Sequence, residues 1–139
     1  MNGGQPVKRA FFHMANTDND KFAKKLALET LENSFGSARV RAVARAEFLN
    51  GVDIAHGGFL FTVADFASAL AVNTDERVAV SSGASINYLS PCPKDEIVIA
   101  TAKVSYFDSR TALCDVSIES EATKRVFAIF QARLIFKKQ

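Results

Sequence analysis

The longest apolar segment of the chain, residues 57–72 (GGFLFTVADFASALAV), carries a single charged side chain, that of Asp65. Apolar or small residues would occupy every face of a helix formed by this segment, and such a helix belongs in a protein interior. The segment is shorter than the roughly 20 residues that span a bilayer. Burial removes a carboxylate from water, so an interior carboxylate is rare. The pattern therefore predicts a buried central helix whose single acid needs an explanation.

Two elements are predicted before this helix. In residues 18–35, apolar side chains recur three or four residues apart, which is typical of an amphipathic helix, and Gly36 would end it. Residues 38–47 alternate between small or apolar side chains and charged ones, which predicts a half-buried strand. A loop over residues 49–55 would then lead into the central helix.

After the central helix the pattern is typical of strands throughout. Four strands are predicted at residues 78–89, 97–107, 111–119 and 126–136, separated by turn-forming residues. An antiparallel sheet wrapped around one apolar helix would bury that helix on several sides. The predicted fold class is therefore α+β, in the hotdog arrangement, and a second subunit is the simplest cover for the remaining helix faces.

Composition narrows the class of protein. The 139 residues are predicted to form one domain over 1–139. The chain is 48% apolar and 23% charged, which is ordinary for a soluble globular protein. A net charge of +2 is too small to indicate a nucleic-acid partner.

Cys92 and Cys114 have no zinc-type spacing, and His13 and His56 are the only histidines, so no metal site is predicted. The N-terminus lacks a secretion signal, which predicts a cytoplasmic protein without a membrane partner.

Asn50, the His56-Gly57-Gly58 triplet and Asp65 occur in an order that closely resembles the PaaI-type branch of hotdog-fold acyl-CoA thioesterases, in the 4-hydroxybenzoyl-CoA thioesterase-like superfamily. The segment Ile86-Asn-Tyr-Leu-Ser-Pro91 also resembles that family's strand before a Pro-containing turn. The resemblance covers about residues 38–136. It implies an enzyme that hydrolyses an acyl-CoA thioester to CoA and a carboxylic acid, needs no cofactor and forms a homodimer or homotetramer.

Asp65 and Gly57 are the principal candidates for catalysis. Asp65 would act as general base or nucleophile, the role that the family gives this position; the alternative is a structural acid that pairs with an Arg or caps backbone. The first N–H groups of the helix would form an oxyanion hole; the alternative is a plain helix entry. The resemblance implies that Gly57 is the main donor, and Gly58 would lie beside the substrate. Eight residues of helix span roughly 12 Å, whereas both groups must lie about 3 Å from one carbonyl. If both are catalytic, the site must lie between two subunits related by two-fold symmetry.

Four further residues complete the predicted site. Asn50 would position the carbonyl or the water, or else serve only as a turn residue. His56 is expected to orient the loop through a ring hydrogen bond, with direct proton transfer as the alternative. Ser81 or Ser82 would hold the attacking water; alignment on the Ile86-Asn-Tyr segment favours Ser81 for that role and leaves Ser82 to substrate binding.

Two other functions stay open at this point. A hotdog hydratase or dehydratase would need an Asp/His or Glu/His dyad in its own motif, and neither pattern is found. A non-catalytic acyl-CoA-binding hotdog protein would leave Asp65 in an apolar helix without a reason.

Overall fold

The computed structural model describes residues 19–138, and within them one antiparallel sheet of six strands packs around a long helix. The elements are α1 (Lys21–Lys25), β1 (Glu29–Ser34), β2 (Ser37–Val43), a 3-10 turn (Ala46–Phe48), α2 (Gly57–Val72), β3 (Ala79–Tyr88), β4 (Ile97–Phe107), β5 (Thr111–Ser120) and β6 (Val126–Phe136). The strand order is β1-β2-β4-β5-β6-β3, and every neighbouring pair is antiparallel. The predicted hotdog fold is confirmed.

Helix α2 begins and ends at the predicted residues and contacts all six strands. Its Val63 and Leu70 are fully buried against sheet residues such as Ile118 and Phe130. Asn73 follows the last residue of α2 as its C-cap, and its buried side chain donates to the Ala69 carbonyl and accepts from the Ala79 N–H. One amide therefore ties the end of α2 to the start of β3.

The strands after α2 match the prediction closely. β4 and β6 have the predicted bounds, β3 is one residue shorter than predicted at each end, and β5 is one residue longer at its C-terminal end. The strand predicted at 38–47 is too long, because β2 stops at Val43 and a 3-10 turn follows at Ala46–Phe48. The chain turns away from β4 where the Arg45 N–H donates to the Val43 carbonyl.

The prediction of a helix over 18–35 is wrong for the described part of that segment. Helix α1 has only five residues, and Ala27 leaves the helical region with φ 55°. The chain then forms strand β1, paired with β2 through a tight turn at Gly36 (φ 94°). Pairing with β2 therefore outweighs the local helical spacing, which is a weak determinant on its own. Residues 1–18 and 139 lie outside the described part, so a single domain over 1–139 stays a prediction.

An uncovered surface joins α2 to the sheet edge. β3 pairs only with β6, and its other side has no partner strand among residues 19–138. Most of β3 is exposed, including the apolar side chain of Val80. A stripe of α2 beside it is not fully buried; it contains Gly58, Thr62, Asp65 and Ala69. Within the described chain, no helix has both the length and the apolar character to cross a membrane.

Candidate active site

Asp65 lies on the uncovered stripe of α2 and faces β3. Ser81 Oγ donates to Asp65 Oδ1 at 3.1 Å, and no other hydrogen-bond donor to this carboxylate is found among residues 19–138. None of the ion pairs in that part of the chain includes Asp65. Burial raises the pKa of Asp65 above the ordinary value of 3.8; the Ser81 hydrogen bond acts in the opposite direction, and the nearby charge of Asp20 adds to the increase. The structure therefore does not pair Asp65 with an Arg.

The start of α2 leaves one backbone donor free. The N–H of Gly58 donates to His56 Nδ1 at 2.9 Å. The N–H groups of Phe59 and Leu60 are directed at the His56 carbonyl. By contrast, the Gly57 N–H has no acceptor among residues 19–138. Of the two predicted glycine donors, Gly57 alone is free for a ligand in this arrangement.

His56 and Asn50 shape the approach to this free donor. His56 Nδ1 accepts the hydrogen bond from the Gly58 N–H. That nitrogen is therefore the acceptor of the imidazole, and it carries no proton while this bond is formed. Asn50 Oδ1 accepts from the N–H groups of Val52 (2.9 Å) and Ile54 (3.3 Å), which holds the loop before α2. Asn50 also lines a cleft of about 390 Å³ together with Gly57. Asn50 thus holds the loop, and His56 accepts from the first turn of α2. The loop-orienting role expected for His56 stays a prediction.

Ser81 and Ser82 are adjacent but point to different partners. A β-bulge interrupts the register between β3 and β6 at this point, so that Ser81 pairs with Leu134 and Gly83 with Arg133. Ser81 contacts the Asp65 carboxylate, whereas Ser82 Oγ donates to the Arg133 carbonyl at 3.2 Å. The structure therefore brings Ser81 to Asp65 and directs Ser82 away from it.

The predicted residues form two groups in one chain. Asn50, His56, Gly57 and Gly58 surround the start of α2. Asp65, with Ser81 beside it, lies eight residues beyond Gly57, which is roughly 12 Å along the helix axis at about 1.5 Å per residue. Asp65 does not line the cleft at Gly57. The two groups are therefore separate within a single chain.

Tyr88 is a site residue that the sequence alone does not single out. Its hydroxyl donates to the Gly57 carbonyl at 2.9 Å, and its ring forms a wall of the same cleft. In the sequence, the segment 86–91 is notable only for its likeness to a family strand. Ser81 faces the helix, and in a regular strand the residue seven positions later would point to the opposite face. Strand alternation counted from Ser81 therefore gives no reason to expect Tyr88 on the helix side.

Comparisons with known proteins agree with the fold and the motif. The thioesterase superfamily matches residues 53–127. The acyl-coenzyme A thioesterase PaaI of Escherichia coli is 34% identical over 116 residues, which cover 84% of this chain and 82% of that protein. The solved structure of E. coli PaaI superposes with a TM-score of 0.88 at 30% identity, covering 97% of this chain and 95% of the other.

A third comparison bears on the ligand. A hypothetical thioesterase of Streptococcus pneumoniae, solved with coenzyme A, superposes with a TM-score of 0.82 at 25% identity and covers 91% of this chain and 98% of its own. Two further structures of that protein each carry one substitution to Ala, which replaces an Asp in one structure and a Thr in the other. Those two positions lie 16 residues apart, and Asp65 and Ser81 are separated by the same number of residues.

Proposed function

We propose that this chain, which belongs to the PaaI-like branch of the thioesterase superfamily, hydrolyses acyl-CoA to CoA and a carboxylic acid in a site shared by two copies of the chain. Thioester hydrolysis follows from family membership. The observation that carries the shared site is the distance between two groups on one helix. The Gly57 N–H has no acceptor among residues 19–138, and the Asp65 carboxylate, which accepts only from Ser81 in that part of the chain, lies too far along the helix to act on the same carbonyl. CoA bound to the S. pneumoniae relative supports the choice of thiol.

The Gly57 N–H is suited to the thioester oxygen. The first N–H groups of a helix lack intrahelical partners and lie at its positive end. A donor held there stabilises the negative charge that develops on the carbonyl oxygen when the thioester is attacked. Since His56 occupies the Gly58 N–H, Gly57 provides the donor. A Cβ on Gly58 would lie 3.1 Å from His56 Nδ1, so glycine at this position leaves room for the ring that accepts its N–H.

Asp65 is suited to the attack. Its raised pKa makes it a stronger base than an ordinary carboxylate, and it acts as a base once the pH exceeds that pKa. In one route Asp65 takes a proton from a water, whose oxygen attacks the carbonyl carbon, and the C–S bond breaks to release CoA thiolate. In the other route Asp65 itself attacks the carbonyl carbon, CoA thiolate leaves, and water cleaves the resulting anhydride. Ser81, on the same carboxylate, would orient that water and hold the carboxylate in place.

A two-fold dimer would complete the site. The free edge of β3 and the uncovered stripe of α2 form one continuous surface, and the same surface on a second copy would cover it. Gly57 of one copy would then face Asp65 of the other, giving two equivalent sites. A tetramer made of two such dimers rests on the family resemblance alone.

The proposed dimer predicts the mass and the concentration dependence of activity. Light scattering is expected to give at least twice the 15.1 kDa of one chain. Because no monomer would hold a complete site, specific activity should fall on dilution in step with the dimer fraction. A monomer with full activity would refute both the dimer and the shared site.

An acyl-CoA panel tests the function itself. Release of CoA thiol from thioesters, without hydration of an enoyl-CoA, is the expected outcome. The hydratase alternative has no supporting contact among residues 19–138, because His56 Nδ1 accepts from the Gly58 N–H and the ring contacts no carboxylate there; His13 lies outside the described residues. Binding of acyl-CoA without turnover would instead favour the non-catalytic alternative.

Replacing Ser81 by Ala is expected to shift the acidic limb of the pH profile upward. A base acts when deprotonated, so kcat/KM should rise with pH through the pKa of Asp65, which lies above 3.8. The Ser81 hydrogen bond stabilises the charged carboxylate and lowers that pKa. Without the bond the pKa should rise further, and the limb should move to higher pH. The measurement is kcat/KM across the acidic range for both proteins.

Ser85→Ala is the matched control for this experiment. Ser85 lies on the same strand, next to Ile86, whose side chain packs on the core, so the Ser85 side chain points away from α2. The control should keep the wild-type limb. A Ser81→Ala limb that stays in place or moves to lower pH would contradict the assignment of Asp65 as the titrating base.

A further inference from the structure

We infer that Tyr88 is a positioning residue that fixes the direction of the oxyanion donor Gly57, an inference that rests on the proposed function. The Tyr88 hydroxyl donates to the Gly57 carbonyl at 2.9 Å. Its ring lies directly against the glycine, since a Cβ built on Gly57 would lie 2.9 Å from Tyr88 Oη and 3.0 Å from Cζ. The phenol thus both binds this residue and occupies the space beside it.

The peptide unit between Gly57 and Gly58 is held at both ends. Its carbonyl accepts from Tyr88, and its N–H donates to His56 Nδ1. A peptide unit is planar, so two hydrogen bonds on its opposite sides fix its orientation. Gly57 has wide backbone freedom and lies in the first turn of the helix, where few intrahelical bonds restrain it. The two side chains therefore limit rotation about the Gly57 Cα–C bond, which joins this peptide unit to the residue that carries the free N–H.

The β-bulge in β3 is what brings Tyr88 to the helix. In a regular strand, residues an odd number apart point to opposite faces, which would separate Ser81 from Tyr88. The irregularity between Ser81 and Gly83 inserts one residue and restores both to the same face. One strand therefore supports the carboxylate through Ser81 and the start of α2 through Tyr88.

Core packing does not account for Tyr88. Its side chain is 51% exposed and lines the cleft at Gly57 rather than the hydrophobic core. Removing its hydroxyl alone would leave the ring in place. The hydroxyl is thus expected to matter for the donor it holds more than for stability.

The test compares Tyr88→Phe with Tyr106→Phe. Tyr106 is the chain's other tyrosine, and its hydroxyl donates to Asp108 at the β4–β5 turn, away from α2. Tyr88→Phe should lower kcat about three- to tenfold, the range that loss of one neutral hydrogen bond gives, with KM nearly unchanged. Tyr106→Phe should keep wild-type kcat and KM.

Two further measurements distinguish positioning from a general structural effect. S-trifluoroacetonyl-CoA presents a ketone that can accept from the Gly57 N–H, whereas S-propyl-CoA has no carbonyl. Tyr88→Phe should weaken binding of the ketone by the factor lost in kcat and leave the thioether unchanged. In nuclear magnetic resonance spectra, the Gly57 and Gly58 amide signals should shift in Tyr88→Phe and not in Tyr106→Phe.

The results that overturn this inference differ from those that overturn the proposed function. A wild-type protein that hydrolyses no acyl-CoA would reject the proposed function. An active wild type whose Tyr88→Phe variant has unchanged kcat, unmoved glycine amide signals, or equal losses of ketone and thioether binding would reject only the positioning role of Tyr88.

Discussion

Replacing Asp65 by Asn is expected to lower kcat by about 100- to 10,000-fold, the range over which general-base catalysis contributes. Asn has nearly the same shape, and its amide oxygen can still accept the hydrogen bond from Ser81. It cannot accept a proton or attack as a carboxylate. The loss should appear in kcat with little change in KM, because the missing group acts in the chemical step. Steady-state kinetics on the best substrate of the panel give both values.

The same substitution should leave the fold at least as stable as the wild type at neutral pH. Burial raises the pKa of Asp65, so the folded protein favours the protonated acid more than the unfolded chain does. This preference for the protonated acid stabilises the folded protein at pH values below the unfolded pKa of Asp65. The stabilisation is lost as the pH rises through the higher folded pKa. At neutral pH the charged form opposes folding, and Asn removes that charge. The midpoint of thermal unfolding at neutral pH should therefore be equal or higher.

Asp115→Asn is the matched control. Asp115 lies on the exposed face of β5, where its carboxylate accepts from Gln131. Its replacement should leave kcat unchanged. An Asp65→Asn variant that keeps more than about a tenth of the wild-type kcat would exclude the role of Asp65 as base or nucleophile.

The sequence alone predicts a helix or strand correctly where one face of that element, or the whole element, is buried. The bounds of α2 follow from a run of apolar residues between a His-Gly-Gly entry and Asn73, and β4 and β6 follow from β-branched and aromatic residues between turns. The segment before β2 is different, because Ala27, Leu31 and Phe35 also fit helical spacing. Whether that segment forms a helix or a strand depends on pairing with β2, a contact that local periodicity does not contain.

The residues of the candidate site also differ in how far the sequence alone identifies them. Asp65 is evident because it is the one charge in an apolar helix, and Gly57 because helix starts have free donors. The orientation of Ser81 and Tyr88 depends on a bulge that inserts one residue, and no local signal in Ser81-Ser82-Gly83 requires it. A side chain that approaches another element through an irregular strand is found only once the register is known.

Subunits that carry Asp65→Asn should regain activity when mixed with subunits that carry Gly57→Pro. Proline has no N–H, so it removes the oxyanion donor. Position 57 begins the helix, and the preceding His56 has an extended backbone, so the backbone at this position accepts proline. The Cβ of the proline would lie 2.9 Å from the Tyr88 hydroxyl, so Tyr88 must move aside. Each homodimer should be nearly inactive, since every site lacks one group. In a mixed dimer both defects fall in one site, and the other site is intact. With random exchange about half of the dimers are mixed, so activity should recover to about a quarter of the wild-type value.

Gly57→Ala separates the missing N–H from the added Cβ. Alanine brings the same Cβ toward Tyr88 but keeps the donor, so it should retain more activity than Gly57→Pro. Circular dichroism of each homodimer must show a folded protein before mixing.

A second mixture reverses the arrangement and makes the test decisive. Both substitutions are placed in one chain, which is then exchanged with wild-type chains in equal amounts. If the two groups come from different chains, each mixed dimer has one defect in each site, and exchange should halve the activity of the unexchanged mixture. If both groups came from the same chain, exchange would leave that activity unchanged, and the mixture of single variants would show no recovery. That pair of results, in well-folded and fully exchanged protein, would show that the donor and the base do not belong to different subunits.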